Sequence, residues 1–204
     1  MKNFYIADLH FGHEMIIGFD RRPFASAEEM DAELVRRWNA AVGPGDTVYI
    51  LGDFCREGED AWRRILGQLQ GSKVLIRGNH DISPMSDALR AEFLDVRDVL
   101  TVRDGRYSVL LCHYPLMFFA GDMDPDTVML CGHVHLTPEN DALNAWRAQL
   151  RADRRKRGRG NCGNIFNVGC MLPGMDYTPR TLEEILGTAA SAGRDILTAI
   201  TNKP

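Results

Sequence analysis

The 204-residue sequence lacks three features that would each point to a particular class of protein: a long apolar run, an internal repeat and a low-complexity segment. Without about 18 consecutive apolar residues, no part of the chain is expected to span a membrane. The first residues turn polar at Asp8 and lack the apolar core of a secretory signal, so we expect a cytoplasmic protein. With 45% apolar and 25% charged residues, the composition favours one globular domain over residues 1–204.

Cysteine is scarce, and its spacing indicates neither metal nor disulfide chemistry. There are five cysteines and no C-x-x-C motif: Cys55, Cys112, Cys131, Cys162 and Cys170. An odd number without that motif argues against a disulfide framework and against a zinc ribbon. We expect reduced, mostly buried thiols, as in a protein of a reducing compartment.

The net charge of −4 is small but unevenly spread. Residues 147–159 hold seven basic residues and one acid, a charge of +6 that leaves −10 for the rest of the chain. An acidic body that contains histidines fits a cation site better than a nucleic-acid surface. The basic segment itself has two interpretations: a surface insertion at about 142–160, or an arm that contacts a polyanion. Only Trp146 offers an aromatic ring there for base stacking.

Short apolar runs alternate with segments of helical periodicity. The pattern predicts strands over 3–8, 47–51, 73–77, 96–102, 107–112, 128–131 and 164–168. Helices are expected from a Ser26 cap with Glu29 as its capping-box partner, over 61–69, over 85–94 and from Leu182. The Asp104-Gly105 pair predicts a hairpin turn. This order indicates an α/β fold with helices outside the sheet layers.

Polar residues directly follow five of these strands: Asp8, Asp53, Asn79, His113 and His133. The chain has six histidines, all at or near a strand end: His10, His13, His80, His113, His133 and His135. Ligands bind at the carboxyl ends of strands in α/β sheets. Asp8 and His10, two residues apart, can reach one cation, and His133 and His135 repeat that spacing. Carboxylate, amide and imidazole together favour manganese, iron or zinc over calcium.

Five blocks of the sequence resemble the signature of the calcineurin-like metallophosphoesterase superfamily. They are Asp8-Leu9-His10, Gly52-Asp53, Gly78-Asn79-His80-Asp81, His113 and Gly132-His133-Val134-His135, in family order over residues 8–135. The longer opening through His13-Glu14, with Arg22-Pro23-Phe24 downstream, is similar to a small bacterial and phage branch of that superfamily. The resemblance implies a four-layer α/β/β/α sandwich with a metal site at one edge of the sheets.

The resemblance also implies two divalent metal ions, manganese first and iron, zinc or nickel as alternatives. Asp8, His10 and His135 would hold one ion, and Asn79, His113 and His133 the other. Asp53 would bridge both ions. A hydroxide shared by the two metals would then attack phosphorus in line.

Three further residues, and Asn79 among the ligands, receive roles outside metal binding. The resemblance places His80 beside the leaving oxygen or a phosphate oxygen, where it could serve as a general acid. We expect Asp81 to orient its imidazole, with capping of a helix near Ser83 as the alternative. His13 is a candidate contact for substrate, or a support for its own loop, and Asn79 is a second candidate substrate contact. Arg22 is expected in an exposed, solvated loop.

Together these residues predict a metal-dependent phosphoester hydrolase that acts on a small phosphoester. Phosphodiester hydrolysis is favoured, with phosphomonoester hydrolysis as an alternative. A nuclease that uses the basic segment 147–159 is a second alternative, with nucleic acid as its partner. A non-catalytic metal-binding scaffold is the third, and it fits poorly because such relatives usually lose metal ligands or the residue corresponding to His80.

Overall fold

The computed structural model describes residues 1–156 and 164–187, with side chains described over 1–153 and 164–187. The strands of this part of the chain are β1 (Asn3–Ile6), β2 (Thr47–Ile50), β3 (Ser72–Ile76), β4 (Asp95–Arg97), β5 (Val99–Asp104), β6 (Tyr107–Cys112), β7 (Thr127–Cys131), β8 (Ile165–Asn167) and β9 (Arg180–Thr181). The helices are α1 (Glu14–Asp20), α2 (Ala27–Ala41), α3 (Glu59–Leu66), α4 (Asp87–Arg90) and α5 (Pro138–Lys156), and residues 182–187 are also helical.

The strands form two sheets. The first has the order β4-β3-β2-β1-β9, in which β1 to β4 are parallel and β9 is antiparallel to β1. The second has the order β5-β6-β7-β8, in which β6 to β8 are parallel and β5 forms an antiparallel hairpin with β6. The predicted α/β class and its two sheets flanked by helices are confirmed.

Parallel strands covered on both faces consist almost entirely of buried residues. All five residues of β7 are buried, and side chains from both sheets, such as Leu75 and Leu111, belong to one apolar cluster. The helix α2 adds three side chains that recur every four residues to this cluster: Met30, Leu34 and Trp38. The expected alternation of helices and strands therefore builds the sandwich.

The predicted start of α2 is confirmed in one part and differs in another. The Ser26 hydroxyl accepts a hydrogen bond from the Glu29 amide at 3.3 Å, as an N-cap does. The Glu29 carboxylate, however, accepts from the amide of Ala25 at 2.8 Å instead of completing a capping box with Ser26. The helix begins at the expected residue with one of the two expected cap contacts.

One predicted strand, over 96–102, is wrong because the chain changes sheets within it. β4 pairs with β3 in the first sheet, whereas β5 pairs with β6 in the second, and Asp98 separates them. The Asp98 carboxylate accepts two hydrogen bonds from Arg77, at 2.7 and 2.8 Å. Apolar residues occur in both strands, at Val96 and then at Val99 and Leu100, so periodicity alone does not mark the crossing. The predicted hairpin at Gly105 is confirmed, with φ of +57°.

Sequence periodicity missed α1 and β9, which have seven and two residues and are too short to establish a pattern. The predicted insertion at about 142–160 begins as the helix α5, and residues 157–163 lie outside the described part of the chain. None of the helices in the described residues is both long and apolar enough to cross a bilayer. Four of the cysteines are buried and free, as expected, and Cys162 lies outside the described residues.

Candidate metal centre

The carboxyl ends of parallel strands from both sheets meet at one edge of the sandwich. The residues that follow β1, β2 and β3 come from the first sheet, and those that follow β6 and β7 come from the second. The seven expected metal ligands are gathered there: Asp8, His10, Asp53, Asn79, His113, His133 and His135. Residues distant in sequence therefore become neighbours because their strands are adjacent and parallel.

Five of these seven residues have left-handed backbone conformations. Their φ angles are +56° for Asp8, +54° for His10, +52° for Asp53, +72° for His133 and +38° for His135. They account for five of the eight non-glycine residues with positive φ in the described chain. Such conformations cost free energy, are best tolerated by Asp, Asn and His, and cluster at functional sites. Here these conformations turn the backbone sharply after each of the strands that carry the ligands.

Glycines next to the candidate ligands leave space that no other residue would leave. A Cβ atom at Gly52 would overlap the imidazole of His113. A Cβ atom at Gly132 would lie 2.7 Å from Oδ2 of Asp8, below any normal contact distance. Only glycine, which has no Cβ atom, fits at these two positions.

A first group of ligand atoms comes from Asp8, His10, Asp53 and His135, whose atoms all lie within 4.8 Å of one another. The Nε2 atoms of His10 and His135 are 3.4 Å apart. Oδ2 of Asp53 lies 3.5 Å from Nε2 of His10, and Oδ1 of Asp8 lies 3.9 Å from Nε2 of His135. All four residues are buried, so this group is enclosed by protein.

A second group is formed by Asn79, His113 and His133. Oδ1 of Asn79 lies 3.0 Å from Nε2 of His113 and 2.9 Å from Nδ1 of His133. Oδ2 of Asp53 lies 3.7 Å from the same His113 nitrogen. Asp53 therefore stands between the two groups, and its other oxygen, Oδ1, accepts a hydrogen bond from the His80 amide at 2.8 Å.

Two of the histidines have their tautomers set by partners outside the site. Nδ1 of His113 donates to the carbonyl of Leu51 at 2.8 Å, and Nδ1 of His135 donates to the Asp20 carboxylate at 3.0 Å. In the neutral ring the other nitrogen, Nε2, then carries its lone pair into the site. Converging carboxylate oxygens, an amide oxygen and imidazole lone pairs are a donor set that fits divalent transition metals.

Burial shifts the pKa values of the first group strongly. Burial raises the pKa of Asp8 to about 7, although the nearby His135 and the amide of His133 oppose the shift. Burial also lowers the pKa of His10, and the neighbouring His135 and Arg22 lower it further. Both shifts show that burial disfavours the charged forms of these two side chains when no metal is bound. A cation beside the carboxylates would stabilise their charged form.

Asp81 has different partners from those expected. Its carboxylate accepts hydrogen bonds from the backbone amides of Gly78 at 2.7 Å, Phe54 at 2.8 Å and Asp53 at 3.1 Å. Among the described residues no hydrogen bond joins Asp81 to His80, so the expected orientation of His80 by Asp81 is wrong in this structure. The Asp81 carboxylate instead ties together the loops that follow β2 and β3. The capping alternative is also wrong, because α4 begins at Asp87 with Ser86 as its cap.

His80 and His13 lie at the open side of the site. The exposed His80 receives a hydrogen bond at Nδ1 from the Arg56 guanidinium, at 3.1 Å, and its ring centroid is 5.6 Å from that of His10. Nδ1 of His13 lies 3.4 Å from Nδ1 of His10. Burial lowers the pKa of His13, and the positive charge of Arg56 lowers it further. The expected substrate contacts of His13 and Asn79 stay predictions.

The expected solvated position of Arg22 is wrong, and its partner Asp20 was missed. Arg22 is only 4% exposed, and its guanidinium donates to the carbonyls of Asp8 and Leu9 and to the Asp20 carboxylate. A charged side chain is not expected inside a protein unless it is paired. The signal available in the sequence was the Arg22-Pro23-Phe24 motif, which had no assigned function.

Aromatic side chains border the two ligand groups. The ring of Phe19, 65% exposed, meets His135 edge-on with centroids 5.7 Å apart. The half-exposed ring of Tyr114 lies 4.7 Å from the His133 ring. These rings leave apolar surface next to the candidate ligands.

The described part of the basic segment packs against the protein. The Arg147 guanidinium lies 4.5 Å from the centroid of the Phe166 ring and donates to Asn144. Arg151 donates to the side chain of Asn164 at 3.3 Å. The remaining basic side chains, from Arg154 to Arg159, lie outside the described residues.

The order and geometry of these residues agree with a known family. The sequence model of the calcineurin-like phosphoesterase family matches residues 1–158. The chain belongs to this family. Membership confirms the resemblance found in the sequence and the class of enzyme that it implied, a metal-dependent phosphoesterase.

Similar proteins include the Gene 66 protein of Mycobacterium phage L5, 30% identical over 164 residues that cover 66% of this chain and 77% of the phage protein. An uncharacterized protein of Methanocaldococcus jannaschii is 44% identical over 82 residues, which cover 39% of this chain and 47% of the archaeal protein. The match thus spans about half the length of that relative. The solved structure of a protein of unknown function from Aquifex aeolicus, 25% identical, superposes with a TM-score of 0.66 and covers 91% of this chain and 98% of its own.

Proposed function

We propose that this phosphoesterase hydrolyses small phosphodiesters with two divalent metal ions, manganese first among the candidates. The observation that carries the proposal is the position of Asp53. One of its oxygens is held by the His80 amide, and the other lies within 3.7 Å of ligand nitrogens in both groups. A carboxylate between two sets of donors offsets the repulsion between two cations.

Each group of residues would hold one ion. Asp8, His10 and His135 belong to the first position, and Asn79, His113 and His133 to the second, with Asp53 shared. When bound, two such ions lower the pKa of water towards neutrality and polarise the bonds of a phosphoryl group. The chain's own contribution is to fix the donor atoms through turns and hydrogen bonds before substrate arrives.

Two features support a diester in preference to a monoester. The rings of Phe19 and Tyr114 border opposite ligand groups and offer apolar surface to substituents of the phosphate. Arg56 lies at the rim of the site, in contact with His80. Arg22, in contrast, is buried and donates to backbone carbonyls. A monoester carries a second negative charge, which would call for more cationic partners.

His80 would donate a proton to the leaving oxygen. In this structure Arg56 donates to Nδ1 of the neutral ring. The acid form would be the imidazolium, which carries a proton on both nitrogens and would displace Arg56 from Nδ1. Transfer of the Nε2 proton to the leaving oxygen would then leave a neutral ring. His80 is exposed and its ring lies 5.6 Å from that of His10, which is close enough to the ligands for contact with a bound phosphate. Proton transfer of this kind typically contributes about a hundredfold to ten-thousandfold in rate.

The deciding experiment compares bis(p-nitrophenyl) phosphate with p-nitrophenyl phosphate, each with Mn²⁺, Zn²⁺, Ni²⁺ or Fe²⁺ and each with a chelator. We expect metal-dependent cleavage of the diester, with Mn²⁺ most effective. Cleavage of the monoester alone would replace the proposal with phosphomonoester hydrolysis. Loss of both activities in a protein that binds metal would favour the scaffold alternative.

The nuclease alternative has no observation in its favour among the described residues, because Arg147 and Arg151 pack on the protein body. It stays a prediction that depends on Arg154 to Arg159. A cytoplasmic location also stays a prediction, supported by the buried free thiols of the described cysteines.

A further inference from the structure

A buried ion pair lies behind the first ligand group without belonging to it. The side chains of Asp20 and Arg22 are almost inaccessible, and they are joined at 2.9 Å between Oδ2 and a guanidinium nitrogen. A buried pair is costly unless its remaining donors and acceptors are satisfied. Here they are: one partner is Met30 of α2, and the others belong to the candidate metal centre and the turn that carries its ligands.

Arg22 supports the turn that carries the first two ligands. One terminal nitrogen of its guanidinium donates to the carbonyl of Leu9 at 2.8 Å, and the other donates to the carbonyl of Asp8 at 2.9 Å. Asp8 and His10 flank this contact, and both have left-handed backbones. A planar fork that binds adjacent carbonyls stabilises a turn that the backbone by itself disfavours.

Asp20 supports a ligand from the opposite sheet. Both of its oxygens lie 3.0 Å from Nδ1 of His135, which follows β7, whereas the Asp8 turn follows β1. The contact holds the imidazole orientation and leaves Nε2 for the site. One ion pair therefore connects two segments that are 115 residues apart in sequence.

The pair contacts only one of the two groups. In the described chain, the side-chain hydrogen bonds that Asp20 and Arg22 make outside the pair reach Asp8, Leu9, Met30 and His135. The second group has different supports, such as the bond from His113 to the Leu51 carbonyl. The consequence of losing the pair should therefore be confined to one metal position.

We propose that Asp20 and Arg22 are positioning residues that set the metal affinity of the first position, formed by Asp8, His10 and His135, and leave the second position unchanged. The inference rests on the two-metal site of the proposed function. It assigns a role to the Arg22-Pro23-Phe24 motif through its arginine.

The test is Mn²⁺ titration of the metal-free full-length protein by calorimetry, with wild type, Asp20→Asn and Arg22→Lys. Wild type is expected to bind two ions. In each variant one ion should bind about 10- to 100-fold more weakly, the range for loss of a partner behind a metal ligand, while the other keeps its wild-type affinity. Asp98→Asn is the matched control, because it removes the carboxylate of the Arg77 pair, which contacts no candidate ligand.

Wild-type affinities in both variants, or equal weakening of both ions, would overturn the inference and leave the proposed function intact. Failure of the wild type to bind Mn²⁺ would overturn the proposed function and the inference with it. If a variant does not fold, ¹⁵N spectra of the imidazoles in the wild type decide. The inference requires the His135 proton on Nδ1, and a proton on Nε2 instead would overturn it.

Discussion

The backbone of Gly78 lies directly against Asp53, so that a Cβ atom at position 78 would stand 2.6 Å from the Asp53 nitrogen. This contact joins the loops after β2 and β3, and the Asp81 carboxylate reinforces it by accepting from the amides of both residues. The close approach places the Asp53 carboxylate between the two ligand groups. The site thus depends on a residue that contributes no side chain to it.

Gly78→Ala should therefore displace Asp53. We expect destabilisation by about 1–3 kcal/mol from overpacking and a loss of roughly hundredfold in kcat/KM from misplacement of the carboxylate. The measurements are thermal unfolding and diester hydrolysis. Gly45→Ala is the matched control, because no atom lies within 4 Å of a Cβ atom built there. Equal behaviour of the two variants would contradict the argument.

Asp53→Asn tests the bridging position. The amide keeps the shape of the side chain, and its oxygen can still accept from the His80 amide, but the charge between the two groups is lost. We expect the protein to fold, to bind fewer than two equivalents of Mn²⁺ and to lose about a hundredfold or more in activity, since partners behind a ligand already contribute about 10- to 100-fold. Metal analysis after desalting and circular dichroism provide the measurements. Two tightly bound ions in this variant would refute the shared role.

Burial of Asp8 predicts how the stability of the metal-free protein varies with pH. Its pKa of about 7 exceeds the value of about 4 for an unfolded chain, so the folded state binds more protons between these limits. The contribution of Asp8 to stability should accordingly fall as pH rises from 5 to 8 in chelator, whereas the lowered pKa of His10 acts in the opposite direction. The Asp8 contribution is measured as the difference between the wild type and Asp8→Asn, which lacks the titrating group. Excess Mn²⁺ should reverse the trend for the wild type, because the metal binds the carboxylate form.

His80→Asn tests the general acid through the leaving group. A nitrophenolate departs without protonation, whereas an alkoxide requires a proton. We expect the variant to lose about a hundredfold or more in kcat for a dialkyl or dinucleotide diester and much less for bis(p-nitrophenyl) phosphate. Equal losses with both kinds of substrate would indicate a binding role instead. Arg56→Gln is a useful companion, because it removes the hydrogen bond at Nδ1 and retains the imidazole.

Replacing Arg154, Arg155, Arg157 and Arg159 with Gln separates the small-substrate proposal from the nuclease alternative. Hydrolysis of bis(p-nitrophenyl) phosphate should be unchanged. A nuclease would bind single-stranded oligonucleotides in a salt-dependent manner, and the variant would have a shallower dependence of log K on log salt. Salt-independent or absent binding by the wild type would remove the nuclease from consideration.

The sequence identified the candidate ligands because their chemistry is local. In Asp8-Leu9-His10 and His133-Val134-His135, the residue types and their spacing by themselves indicate metal ligands. Glycine before Asp53 or Asn79 indicates a close backbone approach. The strands were found for the same reason, since continuous apolar runs reflect burial on both faces. The break at Asp98 was not found, because apolar residues continue on both sides of it while the chain moves from one sheet to the other.

Only the tertiary structure determined the partners of these residues. The supports of the site come from long-range hydrogen bonds: Asp20 with His135 across 115 residues, and Asp81 with the amide of Asp53 across 28. No periodicity records such contacts, and Arg22 has the sequence appearance of a surface residue although it is buried. Residue types specify what chemistry a site can perform, whereas the packing of strand ends decides which side chains meet, because hydrogen-bond partners depend on position in space and not on separation along the chain.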